Sequence, residues 1–216
     1  MNPVVIKDEK DLARKAAILA RRDPDLRAVH RRLGPPPLWR RTPSLATLLQ
    51  IVLEQQVSLA SGRAAFQRLK DCCQGRVRTD RLIALGAEGL RNSARLTRQK
   101  SNYILAIAEA VDRGTLKIAA LKTLSDRDVR GRLTALKGIG PWTADVYLLM
   151  ALRRCDILPP GDIALEKELS KLRGLNSPPD RNWLVQHAER WRPYRAVAAR
   201  MIWHSYLDRL GRYHEI

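Results

Sequence analysis

Apolar side chains recur every three or four residues along most of the chain, and this spacing places them on one face of an α-helix. After Thr42 and Pro43, for example, the apolar positions are Leu45, Leu48, Leu49, Val52 and Leu53. We expect Thr42 to cap this helix and Pro43 to be its first residue. The alternation of a β-strand is confined to one short candidate, Leu116-Lys117-Ile118. The pattern therefore predicts an all-α protein.

The same spacing predicts helices along the rest of the sequence. They cover residues 8–21, 23–33, 81–85, 97–111, 126–133, 142–152, 163–172, 181–191 and 193–210, and one more follows Ser58 as its N-cap. The connections are short, as in one compact body rather than in domains joined by linkers. We place a boundary between an N-terminal helical extension, residues 1–42, and a main domain, residues 43–216.

Composition excludes several classes of protein. The chain has 216 residues, of which 45% are hydrophobic, so it can bury enough apolar surface to fold. No apolar run reaches the length of a membrane span, and the N-terminus does not have the pattern of a secretory signal. Cys72, Cys73 and Cys155 form neither a disulfide framework nor a metal-binding pattern. We therefore expect reduced thiols, no metal site and a cytoplasmic location.

The charge balance points to a polyanionic partner. Lys and Arg number 40 and Asp and Glu 22, which leaves a net charge of +18. Nucleic acid is the favoured partner of so basic a chain, and arginine suits phosphate because its planar group donates two hydrogen bonds. A membrane surface and a basic surface without any partner are the alternatives. The first is less favoured because no segment is basic on one face and aromatic on the other.

A glycine-containing hairpin is the most informative motif. The segment Leu136-Lys137-Gly138-Ile139-Gly140-Pro141-Trp142 lies between two predicted helices. Two glycines around one aliphatic residue favour a tight turn whose backbone N–H groups can approach a ligand closely. The helix that begins near Pro141 points its free N–H groups into this turn, which is typical of a phosphate site. We expect Ile139 to be buried. A glycine-capped corner without a ligand is the alternative.

With the residues Thr143-Ala144-Asp145 that follow it, the hairpin resembles that of the helix-hairpin-helix (HhH-GPD) superfamily of DNA glycosylases. Within it, the 3-methyladenine DNA glycosylase II branch is the most similar. Three other segments carry the resemblance, LEQQVS at 53–58, LRRCDILPPGDIALEKEL at 152–169 and WRPYR at 191–195 with the helix continuing to Trp203. The resemblance covers about residues 43 to 210. It implies two helical subdomains with a DNA-binding cleft between them.

Asp162 is the candidate catalytic residue. From the residues alone it is the N-cap of helix 163–172, and the resemblance implies that it is also the family's catalytic aspartate. The two roles are compatible. An alkylated purine is a cationic leaving group, and a fixed carboxylate can stabilise the positive charge that develops at C1′ of its sugar. The resemblance puts Trp142 where bifunctional relatives have a lyase lysine, so we expect a monofunctional enzyme that leaves an intact abasic site.

The resemblance also implies how a flipped base and its duplex would be bound. Gln56 would fill the gap in the duplex, and Trp142 and Trp203 would stack on the electron-poor base. Tyr147 is the third candidate for the base pocket, although it lies one position beyond the family's pocket tyrosine, whose place Val146 holds. The alternatives are a polar helix-end residue for Gln56 and core packing for the aromatic residues. The full set of predicted DNA-contacting residues is Gln56, Ser58, Lys137, Gly138, Gly140, Trp142 and Thr143.

Several positions depart from the family pattern. Lys137 stands where proline is usual, which a solvent-facing turn should tolerate, and Arg95 stands where relatives usually have glycine. The residues before 43 are helical in pattern, whereas well-known bacterial members have a β-rich domain there. No four-cysteine signature of an iron–sulfur cluster follows the catalytic segment. We interpret Asp145 as structural, bonded to Arg195 or to the start of its helix.

The sequence therefore predicts a DNA repair enzyme that excises alkylated purines from double-stranded DNA. We expect a monomer associated with the nucleoid and no cofactor, although hairpins of this family sometimes hold a monovalent cation on backbone carbonyls. Two alternatives remain open at this stage. One is a glycosylase for deaminated or oxidised purines, which Val146 favours. The other is a non-catalytic DNA-binding protein with the same hairpin, against which Asp162 argues.

Overall fold

The apolar repeats lie on helices throughout the part of the chain that the structure, a computed structural model, describes, residues 3–212. The α-helices in this range are α1 (Glu9–Arg22), α2 (Pro24–Leu33), α3 (Leu45–Glu54), α4 (Leu59–Cys72), α5 (Thr79–Ser93), α6 (Arg98–Asp112), α7 (Asp126–Thr134), α8 (Pro141–Met150), α9 (Ile163–Leu172), α10 (Arg181–His187) and α11 (Arg195–Arg209). Two short 3₁₀ helices cover Ile118–Thr123 and Ala188–Trp191. The prediction of an all-α protein is confirmed.

The candidate strand at residues 116–118 was a wrong prediction. The Leu116 N–H donates to the Ala110 carbonyl (2.9 Å), and a 3₁₀ helix begins at Ile118. Within residues 3–212 the extended pairing amounts to one isolated antiparallel bridge, between Val5 and Arg154. None of the helices in this range combines the length and apolarity that crossing a membrane requires.

The chain folds into two compact units. The first consists mainly of residues 41–147, and α3 is its buried centre, packed against α4 and α6. Helix α4 comes very close to α3 at Gly62, where an added Cβ would lie 2.7 Å from Cγ of Glu54. The Glu54 carboxylate is buried and pairs with the guanidinium of Arg41 through two hydrogen bonds of 2.9 and 3.1 Å. A hydrophobic α3 with a satisfied charge at its end thus organises this unit.

The second unit combines residues 4–40 with the residues from 148 onward. Helix α11 is buried on all sides along most of its length and packs against α1, α2 and α9. Most of its buried residues are apolar, and Arg200, His204 and Ser205 are buried with them. Its fully buried Arg200 donates to the Leu149 carbonyl (3.0 Å) at the end of α8. The segment predicted as an N-terminal extension therefore contributes α1 and α2 to the packing of this unit.

Helix starts follow the predicted capping chemistry with one exception. The hydroxyl of Ser58 accepts the N–H of Ser61 (3.2 Å) at the start of α4, which confirms that cap. The predicted cap at Thr42 is wrong, because the hydroxyl of Ser44 accepts the N–H of Thr47 (3.2 Å) and α3 begins at Leu45. Thr42 instead accepts the hydroxyl of Thr47 at its carbonyl (2.6 Å). Ser44, two residues further on, is therefore the N-cap of α3.

Helix α5 is longer than predicted because it continues through a kink. The predicted segment 81–85 ends where Gly86 adopts φ +61°, a left-handed backbone conformation that favours glycine. A second helical stretch follows and runs to Ser93. The sequence pattern located the first stretch and missed the second.

Arg95 occupies the position where the family usually has glycine, and its backbone explains that preference. Its φ is +51°, and it is exposed between the buried residues Ala94 and Leu96. The Ala94 carbonyl accepts Nε of Arg68 (3.0 Å), which holds the loop in place. The buried neighbours and this hydrogen bond force a non-glycine residue into a conformation that costs about 1–2 kcal/mol.

Replacing Arg95 by glycine should therefore stabilise the protein. The relief of backbone strain exceeds the extra chain entropy of glycine, so we expect a net gain of about 0.5–1 kcal/mol. Thermal unfolding should move upward by roughly 1–3 °C. Arg132→Gly in α7 is the matched control, because glycine in a helix interior lowers stability by about 1 kcal/mol. Destabilisation by both variants would contradict the strain at Arg95.

The last residue of α10, His187, has a buried imidazole ring. The ring of His187 stacks on Trp183 with 4.5 Å between centroids and meets Trp191 edge-on at 5.2 Å. Burial, assisted by the charges of Arg190 and Arg173, lowers the pKa of His187 to about 4. Asp23 and Asp25 lie near this ring, but Arg173 Nη1 is 3.2 Å from both imidazole nitrogens. A guanidinium at that distance opposes binding of a cation, so the group is an ionic cluster of the fold.

The His187 ring should make stability depend on pH. The unfolded chain takes up a proton near pH 6.5 and the folded chain only near pH 4, so stability is full above about 6.5 and is lost as the pH falls toward 4. Between pH 7 and 4.5 we expect a loss of about 2–3 kcal/mol from this group. Urea unfolding of the wild type and of His187→Phe, which keeps an aromatic ring, measures it. Equal losses in both proteins would exclude His187 as the cause.

Candidate DNA-binding and catalytic residues

The hairpin between α7 and α8 has the predicted conformation of a tight turn. Gly138 adopts φ +93°, and the N–H of Ile139 donates to the Leu136 carbonyl (3.1 Å). Ile139 is only 4% exposed, as predicted, whereas Lys137 and Gly140 are exposed. The buried side chain of Ile139 therefore anchors the turn, and the residues on either side of it stay accessible.

Gly138 lies directly against an aromatic ring of α6. A Cβ at this position would be 2.2 Å from Cγ of Tyr103 and 2.5 Å from its Cδ2. The Tyr103 hydroxyl accepts the side-chain amide of Gln99 (2.6 Å) from the preceding turn. The hairpin can approach α6 so closely only because residue 138 has no side chain.

The loop after α3 presents the predicted gap-filling residue. Gln56 is exposed and has φ +56°, an uncommon value for a residue other than glycine. Val57 beside it is 45% exposed, and the exposed Ser58 begins α4. An exposed polar side chain on a strained backbone is compatible with the predicted gap-filling role, which stays a prediction.

Gln55 is a residue that sequence reasoning did not single out. Its side-chain amide donates to the Gly138 carbonyl (2.9 Å) and to the hydroxyl of Thr143 (2.7 Å). The structure thus brings together the predicted DNA-contacting residues of the first unit, since the loop that carries Gln56 is bonded to the hairpin and to α8. The available signal was a second glutamine in the LEQQVS segment, but no spacing rule links it to a hairpin 83 residues away.

Trp142 and Tyr147 lie on α8 in different surroundings. Trp142 is half-buried in the first turn of the helix, beside the hairpin. Tyr147 is fully buried, and among the described residues its hydroxyl has no hydrogen-bond partner. Burial raises the pKa of Tyr147 well above its ordinary value. The ring fits the core-packing alternative better than an open base pocket, and a pocket role for it stays a prediction. Val146 is buried as well.

Asp145 is buried and paired with an arginine of the same unit. Its carboxylate accepts Nε of Arg130 on α7. In the second unit Arg195 binds Asp156 through a contact of 2.9 Å. The interpretation of Asp145 as structural is supported, and the suggested bond to Arg195 stays a prediction.

Two of the predicted residues meet in the second unit. Oδ1 of Asp162 accepts the N–H of Leu165 (2.9 Å), which confirms its role as N-cap of α9. The same oxygen accepts the indole N–H of Trp203 from α11 (3.0 Å). Asp162 is 8% exposed and Trp203 7%. The carboxylate is therefore oriented from two sides and keeps a small accessible surface.

A second carboxylate ties the helices that carry this pair. Glu168 on α9 is buried and accepts the hydroxyl of Ser205 (2.7 Å) and Nε of Arg209 (2.9 Å), both on α11. At the start of α9, Glu166 accepts the N–H of Gly161 (2.8 Å). The two bonds of Glu168 hold α9 against α11, and that of Glu166 fixes the loop before Asp162.

The hairpin carbonyls that could hold a cation are partly engaged. The Gly138 carbonyl accepts Gln55, and that of Leu136 accepts the N–H of Ile139. Each of these carbonyl oxygens has a second lone pair, so the two oxygens fit the ligand type of a weakly held monovalent ion. Such an ion stays a prediction.

Comparison with known proteins gives a match to a family of base excision DNA repair proteins. Residues 49–193 match the profile of the HhH-GPD superfamily base excision DNA repair proteins. DNA-3-methyladenine glycosylase 1 of Schizosaccharomyces pombe is 28% identical over 158 residues, which are 72% of this chain and 69% of the relative. The chain spans between 36% and 69% of the length of several curated relatives.

Solved structures share the fold. The 3-methyladenine DNA glycosylase of Schizosaccharomyces pombe in complex with abasic DNA superimposes with a TM-score of 0.77 at 24% identity, covering 89% of this chain and 96% of that one. A DNA-3-methyladenine glycosidase from Bacillus halodurans gives 0.76 at 26% identity, covering 99% and 96%. The agreement extends over both units of the present chain.

Proposed function

Because the chain belongs to the HhH-GPD superfamily of base excision DNA repair proteins, we propose that it is a monofunctional DNA glycosylase that removes alkylated purines from double-stranded DNA. The observation that carries this proposal is the Asp162 carboxylate, held by the Leu165 N–H and the Trp203 indole in a nearly buried position. The same carboxylate caps α9, and the family resemblance is what assigns it to catalysis as well.

The chemistry starts with a base that is already a good leaving group. In 3-methyladenine or 7-methylguanine the ring carries a positive charge, and the electron pair of the breaking N-glycosidic bond neutralises it. Positive charge then develops on the sugar at C1′. A preorganised carboxylate stabilises that charge, and a water molecule adds its oxygen to C1′ and loses a proton. In this proposal Asp162 is the carboxylate.

Binding to DNA would draw on the first unit and on the overall charge. The backbone N–H groups of Gly138 and Gly140 border an exposed turn that leads into α8, and exposed Lys137 lies beside them. A helix N-terminus and glycine amides favour a phosphate group. Gln56 on the neighbouring loop would fill the place of the flipped base. The net charge of +18 adds attraction that depends on salt through counterion release.

Strand cleavage is not expected of this site. A lyase needs an amine nucleophile, and Trp142 stands at the position where the resemblance puts the lyase lysine. Lys137 lies within the exposed hairpin instead. We therefore propose hydrolysis that leaves an abasic site in an intact strand.

The direct test is base release from methylated duplex DNA, with 3-methyladenine and 7-methylguanine separated by chromatography and unmethylated duplex as the control. Strands should break only after alkaline treatment, which cleaves abasic sites. Breakage without alkali would contradict the monofunctional assignment. An absence of released base would overturn the substrate class.

A second candidate function is favoured by Val146, which stands where the resemblance expects a pocket tyrosine. A smaller aliphatic residue there changes the shape of the pocket and with it the range of bases. Duplexes that contain hypoxanthine or 8-oxoguanine, assayed in parallel, distinguish a glycosylase for deaminated or oxidised purines from one for alkylated purines.

A further inference from the structure

One side chain links two parts of the first unit that are far apart in sequence, the loop after α3 and the hairpin with the first turn of α8. Both hydrogens of the Gln55 side-chain amide are used, one toward the Gly138 carbonyl (2.9 Å) and one toward Oγ1 of Thr143 (2.7 Å). Thr143 is buried, and Gln55 is itself half-buried. A donor of this kind, with two acceptors on different elements, fixes the distance between its own loop and both of them.

The backbone of Gln55 is held as firmly as its side chain. Its carbonyl accepts Nζ of Lys100 on α6 (3.1 Å), which also donates to the Leu53 carbonyl (2.7 Å). The last carbonyls of α3 thus receive an ammonium group, which suits the negative end of a helix dipole. Partial burial lowers the pKa of Lys100. Lys100 and the hairpin bind Gln55 from two directions.

Gln56 follows immediately and carries the unusual backbone angle. Its φ of +56° is sparsely populated for residues other than glycine, and such a conformation persists only where the surroundings impose it. The side chain of Gln56 is exposed, so the constraint on its backbone comes from the residues held on either side of it. Ser58 caps α4 on one side. Gln55 is held on the other side, and its contacts run to the hairpin that the proposed function assigns to phosphate binding.

We propose that Gln55 is a positioning residue that sets the distance between Gln56 and the hairpin. With this distance fixed, Gln56 can fill the gap in a duplex while the hairpin binds a phosphate group of the same duplex. This inference rests on the proposed function and extends it to a residue that need not touch the reacting atoms. Gln55 acts through Gln56. Its effect therefore exists only as long as Gln56 has a side chain to insert.

A double-mutant cycle tests this dependence. Gln55→Met keeps the length of the side chain and removes both hydrogen bonds, and Gln56→Ala removes the inserted group. The probe is a duplex with an abasic analogue and 2-aminopurine opposite it, whose fluorescence reports unstacking of that base. This readout does not require base release, so it separates failure of the inference from failure of the proposed function. Single-turnover base release is measured in parallel.

We expect Gln55→Met to reduce the 2-aminopurine response and the excision rate by about tenfold, since small misplacements near a reacting group have effects of this size or larger. In the Gln56→Ala background the same substitution should change either quantity by less than about twofold. A purely structural role for Gln55 would give the same factor in both backgrounds and would overturn the inference. An unchanged response in both, or a wild type without any response, would also overturn it.

Two further variants serve as controls for the double-mutant cycle. Gln67→Met on α4 removes a comparable amide contact, to Asp71 at 2.8 Å, from an exposed site and should change neither readout. Thr143→Val removes one of the two acceptors without a change of shape. If Gln55→Met fails to fold, Thr143→Val must show the same dependence on Gln56 with a smaller factor, and equal factors in both backgrounds would again overturn the inference.

Discussion

Asp162→Asn should abolish base release while leaving the fold and DNA binding almost unchanged. Asparagine has the same shape, and its Oδ1 can accept the same hydrogen bonds from Leu165 and Trp203. It is also among the best N-cap residues, so the start of α9 should persist. What disappears is the negative charge that would stabilise the sugar cation. Removing one such preorganised group lowers a rate by about a hundredfold or more.

The measurement is the single-turnover rate of base release from methylated duplex DNA, together with thermal unfolding and affinity for an abasic analogue. Asp180→Asn is the matched control, because Asp180 caps α10 in the same way, through the N–H of Trp183 (2.7 Å), and is exposed. It should retain the wild-type rate. Persistent base release by Asp162→Asn would remove this carboxylate from the mechanism.

Trp203→Phe should have a smaller effect of the same kind. Phenylalanine keeps an aromatic ring but cannot donate to Asp162 as the indole does at 3.0 Å. The carboxylate then loses the indole donor and keeps the Leu165 N–H. A loss between that of Asp162→Asn and the wild type would show that orientation of the carboxylate contributes to the rate.

Gly138→Ala should be the most damaging single methyl group in the first unit. The added Cβ would lie 2.2 Å from the Tyr103 ring, and alanine would have to adopt φ +93°. Strain and overpacking together should cost about 2–4 kcal/mol. Because the hairpin must move away from α6, affinity for duplex DNA with an abasic analogue should fall by at least about tenfold.

Gly131→Ala on α7 is the control for this variant. Nothing lies within 4 Å of an added Cβ there, and alanine favours the helix by up to about 1 kcal/mol. Chemical unfolding and a binding titration on both proteins give the comparison. If Gly138→Ala unfolds and binds like the wild type, the close approach of the hairpin to α6 is not needed for either property.

Local signals in the sequence predicted the helices and their caps well. Apolar spacing gave α9 with the same bounds that the structure has, and the capping roles of Ser58 and Asp162 are confirmed. These features depend on residues three or four positions apart, which a sequence displays directly. The local errors at Thr42 and at residues 116–118 arose where a neighbouring residue or a turn was the stronger local signal. The second stretch of α5 was missed because it follows a kink at Gly86.

Family motifs went further, because they named residues whose partners lie far away in the chain. Asp162 and Trp203 were both singled out, yet the hydrogen bond that joins them appears only when α9 packs on α11. The fully buried ring of Tyr147 shows the opposite case. It lies one position beyond the family's pocket tyrosine, and the sequence does not show that packing buries its ring completely. A pocket role for Tyr147 stays a prediction.

By itself, the sequence determined that this protein is helical, basic and built around a glycine hairpin of the HhH-GPD type. The tertiary structure decided which groups act together. It joined Gln55 to a carbonyl 83 residues away and paired Asp145 with Arg130. It also placed the ring of Tyr103 so close to position 138 that only glycine fits there. The physical reason is range: caps and apolar repeats are set by neighbours along the chain, whereas these contacts follow from how whole helices pack.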